Sequence, residues 1–204
     1  NRELVFGQTC AIGVGAGTQI GQYSICIGND AGAYITANTA NYNVYIGRSA
    51  GSNCAGDSCV AIGPMAATQM GDSSNYNVSI GNQAGQNQAG GSNSIYMGYQ
   101  AGYNSNGDNS IFLGYYAGRY CVGTNNIEIV TDGAITGILD DYSNKIHIEN
   151  TIVGDTDARR LAIGNVGSGD LSPDATLEIK PSGTTTVGMI VQGAVSQSAS
   201  LTEW

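Results

Sequence analysis

NSIYMGYQAG, from Asn93 to Gly102, returns sixteen residues later as NSIFLGYYAG, from Asn109 to Gly118. Looser copies stand before them: NVSIGNQAG at Asn77, CVAIGPMAA at Cys59, NVYIGRSAG at Asn43, SICIGNDAG at Ser24 and CAIGVGAG at Cys10. The glycine closing each apolar-x-apolar triplet is Gly13, Gly28, Gly47, Gly63, Gly81, Gly98 or Gly114, so successive spacings are 15, 19, 16, 18, 17 and 16 residues. Self-similarity at a period of about seventeen, with a loop of variable length, marks a stacked array in which no unit buries its apolar residues alone.

Within each copy apolar residues alternate with a variable one, as in Ile95-Tyr96-Met97 or Ile111-Phe112-Leu113, which is the period of a strand. The outer pair is always apolar: Cys10/Ile12, Ile25/Ile27, Val44/Ile46, Val60/Ile62, Val78/Ile80, Ile95/Met97 and Ile111/Leu113. The middle slot takes Ala11, Cys26, Tyr45, Ala61, Ser79, Tyr96 or Phe112. A face that is uniformly apolar reads as core, and one that tolerates tyrosine, serine and alanine reads as surface or interface. Ile25, Ile27, Ile46, Ile62, Ile80, Ile95, Met97, Ile111 and Leu113 are therefore the expected core. Each strand is followed by Gly, two variable residues and Ala-Gly, from Ala16-Gly17 to Ala117-Gly118, with Ala66-Ala67 the exception. Glycine suits a cramped corner, and alanine suits an inward position where two walls meet.

The expected fold is all-β: a parallel β-solenoid or β-roll of about 16–19-residue coils, intertwined or side by side in a homotrimeric fibre. Three segments are expected. Residues 1–118 hold the NSIxIGxxAG-type repeats. Residues 119–159 continue the coil in more polar form, with the apolar pair recurring as Ile127/Ile129 and Ile146/Ile148. Residues 160–204, carrying Leu161/Ile163 and Leu177/Ile179, form a separate fibre segment. Charge shifts at the first boundary, since residues 1–118 contain five acids and two bases and residues 119–204 eleven acids and five bases.

Composition narrows the function classes. With 31 glycines in 204 residues, 11% charged and 41% hydrophobic residues, the chain suits neither a helical protein nor a disordered linker. A net charge of −9 and seven scattered bases argue against a nucleic-acid partner, and no apolar run reaches the length of a membrane-spanning helix. Starting at NRELVFGQTC and ending in LTEW, the chain reads as a piece of a longer protein without a signal peptide at its start. Five cysteines sit mostly in core or corner slots and read as small free thiols made in a reducing compartment; CAGDSC, Cys54 to Cys59, offers a loop disulfide as the alternative.

The NSIxIGxxAG repeat is similar to the head repeat of trimeric autotransporter adhesins, which implies a parallel β-roll in three side-by-side chains, and it looks like the repeats of phage tail fibres. RLAIGNVGSGDLSPDATLEIKPSG, Arg160 to Gly183, resembles a segment common in phage fibre and other appendage proteins, as VQGAVSQSASLTEW, Val191 to Trp204, resembles the stretch after it. The period here is longer than that of the adhesin repeat. The resemblance implies a structural shaft segment of a virion appendage used in host attachment, located on the virion tail. The alternatives are a bacterial surface adhesin or extracellular filament at the cell surface, and a glycan-cleaving tailspike. Expected partners are further copies of the chain in a homotrimer, neighbouring fibre domains or virion proteins, and a host-surface glycan or protein. Neither nucleic acid nor membrane insertion is expected.

Catalytic signals are weak, and no enzyme activity or cofactor is expected. His147 is the lone histidine, so no nucleophile triad has a spare base, and its metal alternative is three copies meeting on a trimer axis. The carboxylates Asp140, Asp141, Glu149, Asp155 and Asp157 read as an acidic loop, with a glycosidase pair as the rival. GVGAG at Gly13 is explained by the repeat. Tyr96, Tyr99, Tyr103, Phe112, Tyr115 and Tyr116 crowd the last two strong repeats and are the candidate binding residues, suited to packing between chains or to stacking on sugar rings.

Overall fold

The computed structural model describes residues 8–35, 40–71, 74–88, 90–131, 143–148, 152–155, 160–164 and 177–180, the last three segments as backbone only. Nine strands form a parallel stack: β1 (Thr9–Ile12), β2 (Ser24–Ile27), β3 (Val44–Ile46), β4 (Val60–Ile62), β5 (Val78–Ile80), β6 (Ile95–Met97), β7 (Ile111–Leu113), β8 (Ile127–Ile129) and β9 (Lys145–Ile148). Middle slot meets middle slot along the stack: Cys26 pairs Tyr45, then Ala61, Ser79, Tyr96, Phe112, Glu128 and His147 follow. The repeat period read from the sequence is thus the rise of one coil. The molecule is a β-solenoid through His147.

Beyond β9 the coil path changes. β10 (Ile152–Asp155) runs antiparallel to β9, and β11 (Arg160–Gly164) runs antiparallel to β10, before β12 (Leu177–Lys180) pairs parallel with β11. The β9–β10–β11 reversal was not expected from the apolar spacing, since Ile152-Val153 lies outside the Ile146/Ile148 and Leu161/Ile163 series.

Burial reverses the expected polarity of the strands. The middle residues Cys26, Tyr45, Ala61, Ser79, Tyr96 and Phe112 point into the coil and are essentially inaccessible. None of the nine residues expected as core is buried in the single chain; Ile25 is 41% and Met97 42% exposed, and Ile80, Ile95, Ile111 and Leu113 are half-buried. A coil this thin admits one inward side chain per strand. The alternation was read correctly, but its inside and outside were exchanged.

The tolerance of the middle slot has a packing cause. Nine residues after it, the returning wall contributes a second inward side chain, and the two are matched in size: Cys26 with Ile35, Tyr45 with Cys54, Ala61 with Met70, Tyr96 with Ser105, and Phe112 with Cys121. All ten are buried. Large meets small across each of these coils, the complementarity that close-packed interiors require. The fifth coil pairs Ser79 with Gln88, whose Nε2 donates to the Gly102 carbonyl at 3.3 Å. The third inward residue is the alanine of Ala-Gly, buried in every coil from Ala31 to Ala117.

The Ala66-Ala67 exception follows from the same geometry. A Cβ built on Gly102 lies 2.1 Å from the Tyr96 ring, and one on Gly118 lies 2.1 Å from Phe112. At the corresponding position Ala67 is tolerated at φ 51° because the middle slot of its coil is Ala61, which has no ring. The glycine after each strand answers to another constraint, the backbone carbonyl of the next coil.

Two polar ladders run beside this core. At the start of most strands, two residues before the middle slot, a buried side chain accepts the backbone N–H of the same position one coil on: Ser24 from Asn43, Asn43 from Cys59, Asn77 from Ser94, Ser94 from Ser110, Ser110 from Asn126, and Asn126 from Lys145. Two residues earlier the direction is opposite, with the N–H of Asn41 donating to Asp57, Asp57 to Asn75, Asn75 to Ser92 and Ser92 to Asp108. Corners are turned by residues in the left-handed region, three of them non-glycine in the coil of β6: Gln100 (φ 54°), Asn104 (φ 55°) and Asn109 (φ 54°). Their N–H groups donate to Asn82, Gln86 and Ser92 carbonyls of the preceding coil. Asparagine tolerates this backbone better than most residues, which accounts for its abundance at the corners.

All five cysteines are free, Cys54 and Cys59 included. Burial pushes the Cys26 thiol up to about 11, with Cys10 a smaller contributor. Burial likewise holds the Tyr96 phenol at about 12 and raises that of Tyr45 well above its ordinary value. A phenol whose folded-state value lies above the unfolded 10 stabilises the fold fully below that pH and loses this contribution as pH rises through the folded value. In a spectrophotometric titration of the twelve tyrosines, Tyr45 and Tyr96 should therefore ionise only with alkaline unfolding. Twelve phenols titrating together, with the fold intact, would contradict their burial.

Candidate functional site

Two surfaces remain once the core is filled. The first is the outward face of β1 to β9, which carries Cys10/Ile12, Ile25/Ile27, Val44/Ile46, Val60/Ile62, Val78/Ile80, Ile95/Met97, Ile111/Leu113, Ile127/Ile129 and Ile146/Ile148. No polar residue interrupts it. Ile12, Ile25, Ile27, Ile46, Ile62 and Met97 are all more than a third exposed in the single chain. Isolated exposed apolar residues are ordinary, but a contiguous strip is the mark of a covered surface.

The second surface lies on the turns that follow β6 and β7. Tyr99 and Tyr115, each the residue after the strand-closing glycine, stack with ring centroids 5.3 Å apart and are 40% and 41% exposed. Tyr116 leans on Tyr115 at 4.1 Å and on Tyr99 at 5.6 Å. One coil-edge further, Tyr103 and Tyr120 meet edge to face at 6.0 Å. The Arg119 guanidinium sits among them, 4.7 Å from the Tyr116 and Tyr120 ring centroids and 5.4 Å from that of Tyr103. It donates to the Tyr120 hydroxyl at 3.0 Å, while its Nε is buried without a hydrogen-bond partner. No carboxylate among the described residues pairs with it.

Of the six aromatic residues expected to bind, Tyr99, Tyr103, Tyr115 and Tyr116 come together here. Tyr96 and Phe112 do not: they occupy middle slots, pack on each other at 5.8 Å and are fully buried. They are core residues because the inward direction of the strand is the reverse of the one expected. Arg119 was missed as a member, and Tyr120, although part of the tyrosine crowd in the sequence, was not among the six candidates. The signal for them was the repeat itself, since Arg119 and Tyr120 occupy the slots that Tyr103 and Asn104 hold one coil earlier. A second tyrosine stack, Tyr23 on Tyr42 at 5.1 Å, lies on the corner before β2 and β3.

His147 points into its own coil. It is 2% exposed, inside the coil, with Nδ1 3.4 Å from Glu128 Oε1. Glu128, the middle residue of β8, also ends the Ala-Gly column: its Oε2 accepts the Gly118 N–H at 2.5 Å, where earlier glycines of that column donate to an alanine carbonyl of the next coil. The metal alternative for His147 is therefore corrected, because a side chain turned into its own coil cannot meet its copies. Among the described residues no three histidine, cysteine or carboxylate side chains group as a metal site. Asp140, Asp141, Glu149 and Asp157 lie outside the described residues, and of Asp155 only the backbone is described. No helix among the described residues is long and apolar enough to cross a membrane.

No protein-family model, curated protein or solved structure matches the chain.

Proposed function

We propose that the chain is a structural shaft segment of a virion appendage such as a phage tail fibre, assembled as a homotrimer with the strand faces turned towards one another. One observation carries this reading: an apolar strip, two residues per coil over nine strands, with no charge along its length. A contiguous strip of eighteen apolar side chains is the kind of surface that a stable assembly covers. A regular parallel ladder resists lengthening and holds distant parts apart, which is the task of a shaft. The appendage assignment is supported by the likeness of Arg160 to Gly183 to fibre segments, and the host-facing partners would be carried by neighbouring domains.

Sedimentation equilibrium of the chain should give a trimer. Ile46→Asp combined with Ile62→Asp places two carboxylates per chain in the covered strip and should raise the dissociation constant by more than about 100-fold. The monomer should keep its circular dichroism at low temperature, since both side chains point away from the coil interior. A stable monomer of the parent chain at micromolar concentration would remove the assembly. Incubation with bacterial surface polysaccharide should release no reducing ends. Steady release abolished by Asp141→Asn or Glu149→Gln would put the tailspike hydrolase in place of the shaft.

A further inference from the structure

The tyrosine–arginine patch after β6 and β7 belongs to neither the core nor the apolar strip. Its six residues, Tyr99, Tyr103, Tyr115, Tyr116, Arg119 and Tyr120, lie on the turn wall, where earlier coils carry no aromatic ring in the two positions after the strand-closing glycine: Asn29-Asp30, Arg48-Ser49, Pro64-Met65 and Asn82-Gln83 fill the slots of Tyr99-Gln100 and Tyr115-Tyr116. The fold does not require aromatic rings there. It tolerates proline or asparagine in the same place.

Three features of the patch define a ligand. The rings and hydroxyls of five tyrosines offer apolar edges and hydrogen-bonding tips together, the combination that suits the C–H faces and hydroxyls of a pyranose. Arg119 lies in contact with three rings, which orient its planar fork, and only one of its donors is used by the protein. An unneutralised, partly desolvated guanidinium in a chain of net charge −9 favours an anionic group at that one spot. Nucleic acid and other polyanions are poor fits, because they require several cations and the patch holds one. We propose that this patch binds an acidic saccharide, with a carboxylate on the Arg119 fork and adjoining sugar rings lying over Tyr99, Tyr115 and Tyr116.

The site sits outside the strand face, so its failure would leave the shaft standing and a failed trimer would leave the patch testable. The full 204-residue chain would be titrated calorimetrically with three probes: a tetrasaccharide alternating glucuronate and N-acetylglucosamine, neutral cellotetraose, and sodium acetate. The acidic tetrasaccharide should bind saturably and at least about tenfold more tightly than cellotetraose, and should weaken as salt is raised. Arg119→Gln should bring it down to the neutral level, with Arg119→Lys in between, because lysine keeps the charge and loses the fork and the ring stacking. Tyr115→Ala should weaken both saccharides by about tenfold, the upper end of what one aromatic contact contributes. Tyr115 is exposed and Arg119 half-buried, both outside the coil interior, so the variants should melt close to the parent.

Equal affinity for the acidic and neutral probes, binding unchanged by Arg119→Gln, or no saturable binding of either saccharide would overturn the proposal. So would acetate displacing the tetrasaccharide at matched concentration, which would mark a simple anion site. A fall in oligomeric mass on Tyr115→Ala would show that the patch packs between chains, and would also defeat it.

Discussion

Phe112→Ala should cost about 3–5 kcal/mol, and Cys121→Met on the same chain should return at least half of it. The first number follows from a fully buried ring with Tyr96 on one side and the Glu128 coil on the other, in a tube too narrow to collapse around the void. The rescue follows from the pairing across the coil. Three coils towards the N-terminus the same two slots hold Ala61 and Met70, both buried, in the same backbone. Alanine at 112 with methionine at 121 recreates that solution, and Met is the side chain best able to reach into an irregular gap. Cys121→Met alone should be destabilising, because it overfills a coil that already contains the ring. A double-mutant cycle by urea denaturation therefore has a predicted sign: the two changes should be better together than their sum by about 2 kcal/mol or more. Additive losses would mean that the nine-residue size matching is accidental.

Gly98→Ala should be as damaging although it adds a single methyl. Gly98 has φ +134°, a conformation that side-chain-bearing residues rarely adopt, and a Cβ there would lie 2.3 Å from the carbonyl oxygen of Gly114 in the next coil. The obstructing atom is backbone. It cannot rotate away, and moving it breaks the register of β6 on β7. The equivalent glycines meet the same obstruction: Gly28 against Gly47, Gly47 against Gly63, Gly63 against Gly81, and Gly81 against Gly98. Strain and clash together should remove about 3 kcal/mol or more. Gly90→Ala is the control. A Cβ at Gly90 meets nothing within 4 Å, and its φ is not in the left-handed range, so the melting temperature should hold or rise slightly. Loss of stability in both variants would point to a general glycine requirement, and loss in neither would contradict the close approach of successive coils.

Assembly connects these two effects to the proposed shaft. The middle slot and the strand-closing glycine stabilise each coil from within, so their variants should unfold chain and trimer together. The Ile46 and Ile62 variants should separate the chains first. The order of events on heating or dilution thus distinguishes core from interface, a distinction that burial in one chain already draws.

Much of this architecture was written in the repeat. A fixed period, alternation over three residues and a glycine after each triplet determine parallel strands stacked in register, because neighbouring coils are nearly copies and copies align best on themselves. The tyrosine cluster was visible too, since six tyrosines fall between Tyr96 and Tyr120. Which face of the strand points inward was not. Alternation is symmetric, so Val78-Ser79-Ile80 is compatible with two apolar residues inside and serine outside, or with the reverse. The uniform pair suggested a core by analogy with a sheet that has one wet side. Tertiary structure decided otherwise, because a coil closes on itself within about seventeen residues and its interior has room for one strand side chain, an alanine and a partner nine residues on. Variation in the middle slot was therefore compensated packing, and the uniform pair lies on the outer face of the coil. That closure also separated Tyr96 and Phe112 from Tyr99 and Tyr115, neighbours in sequence that the turn of the chain sends to opposite sides of the wall.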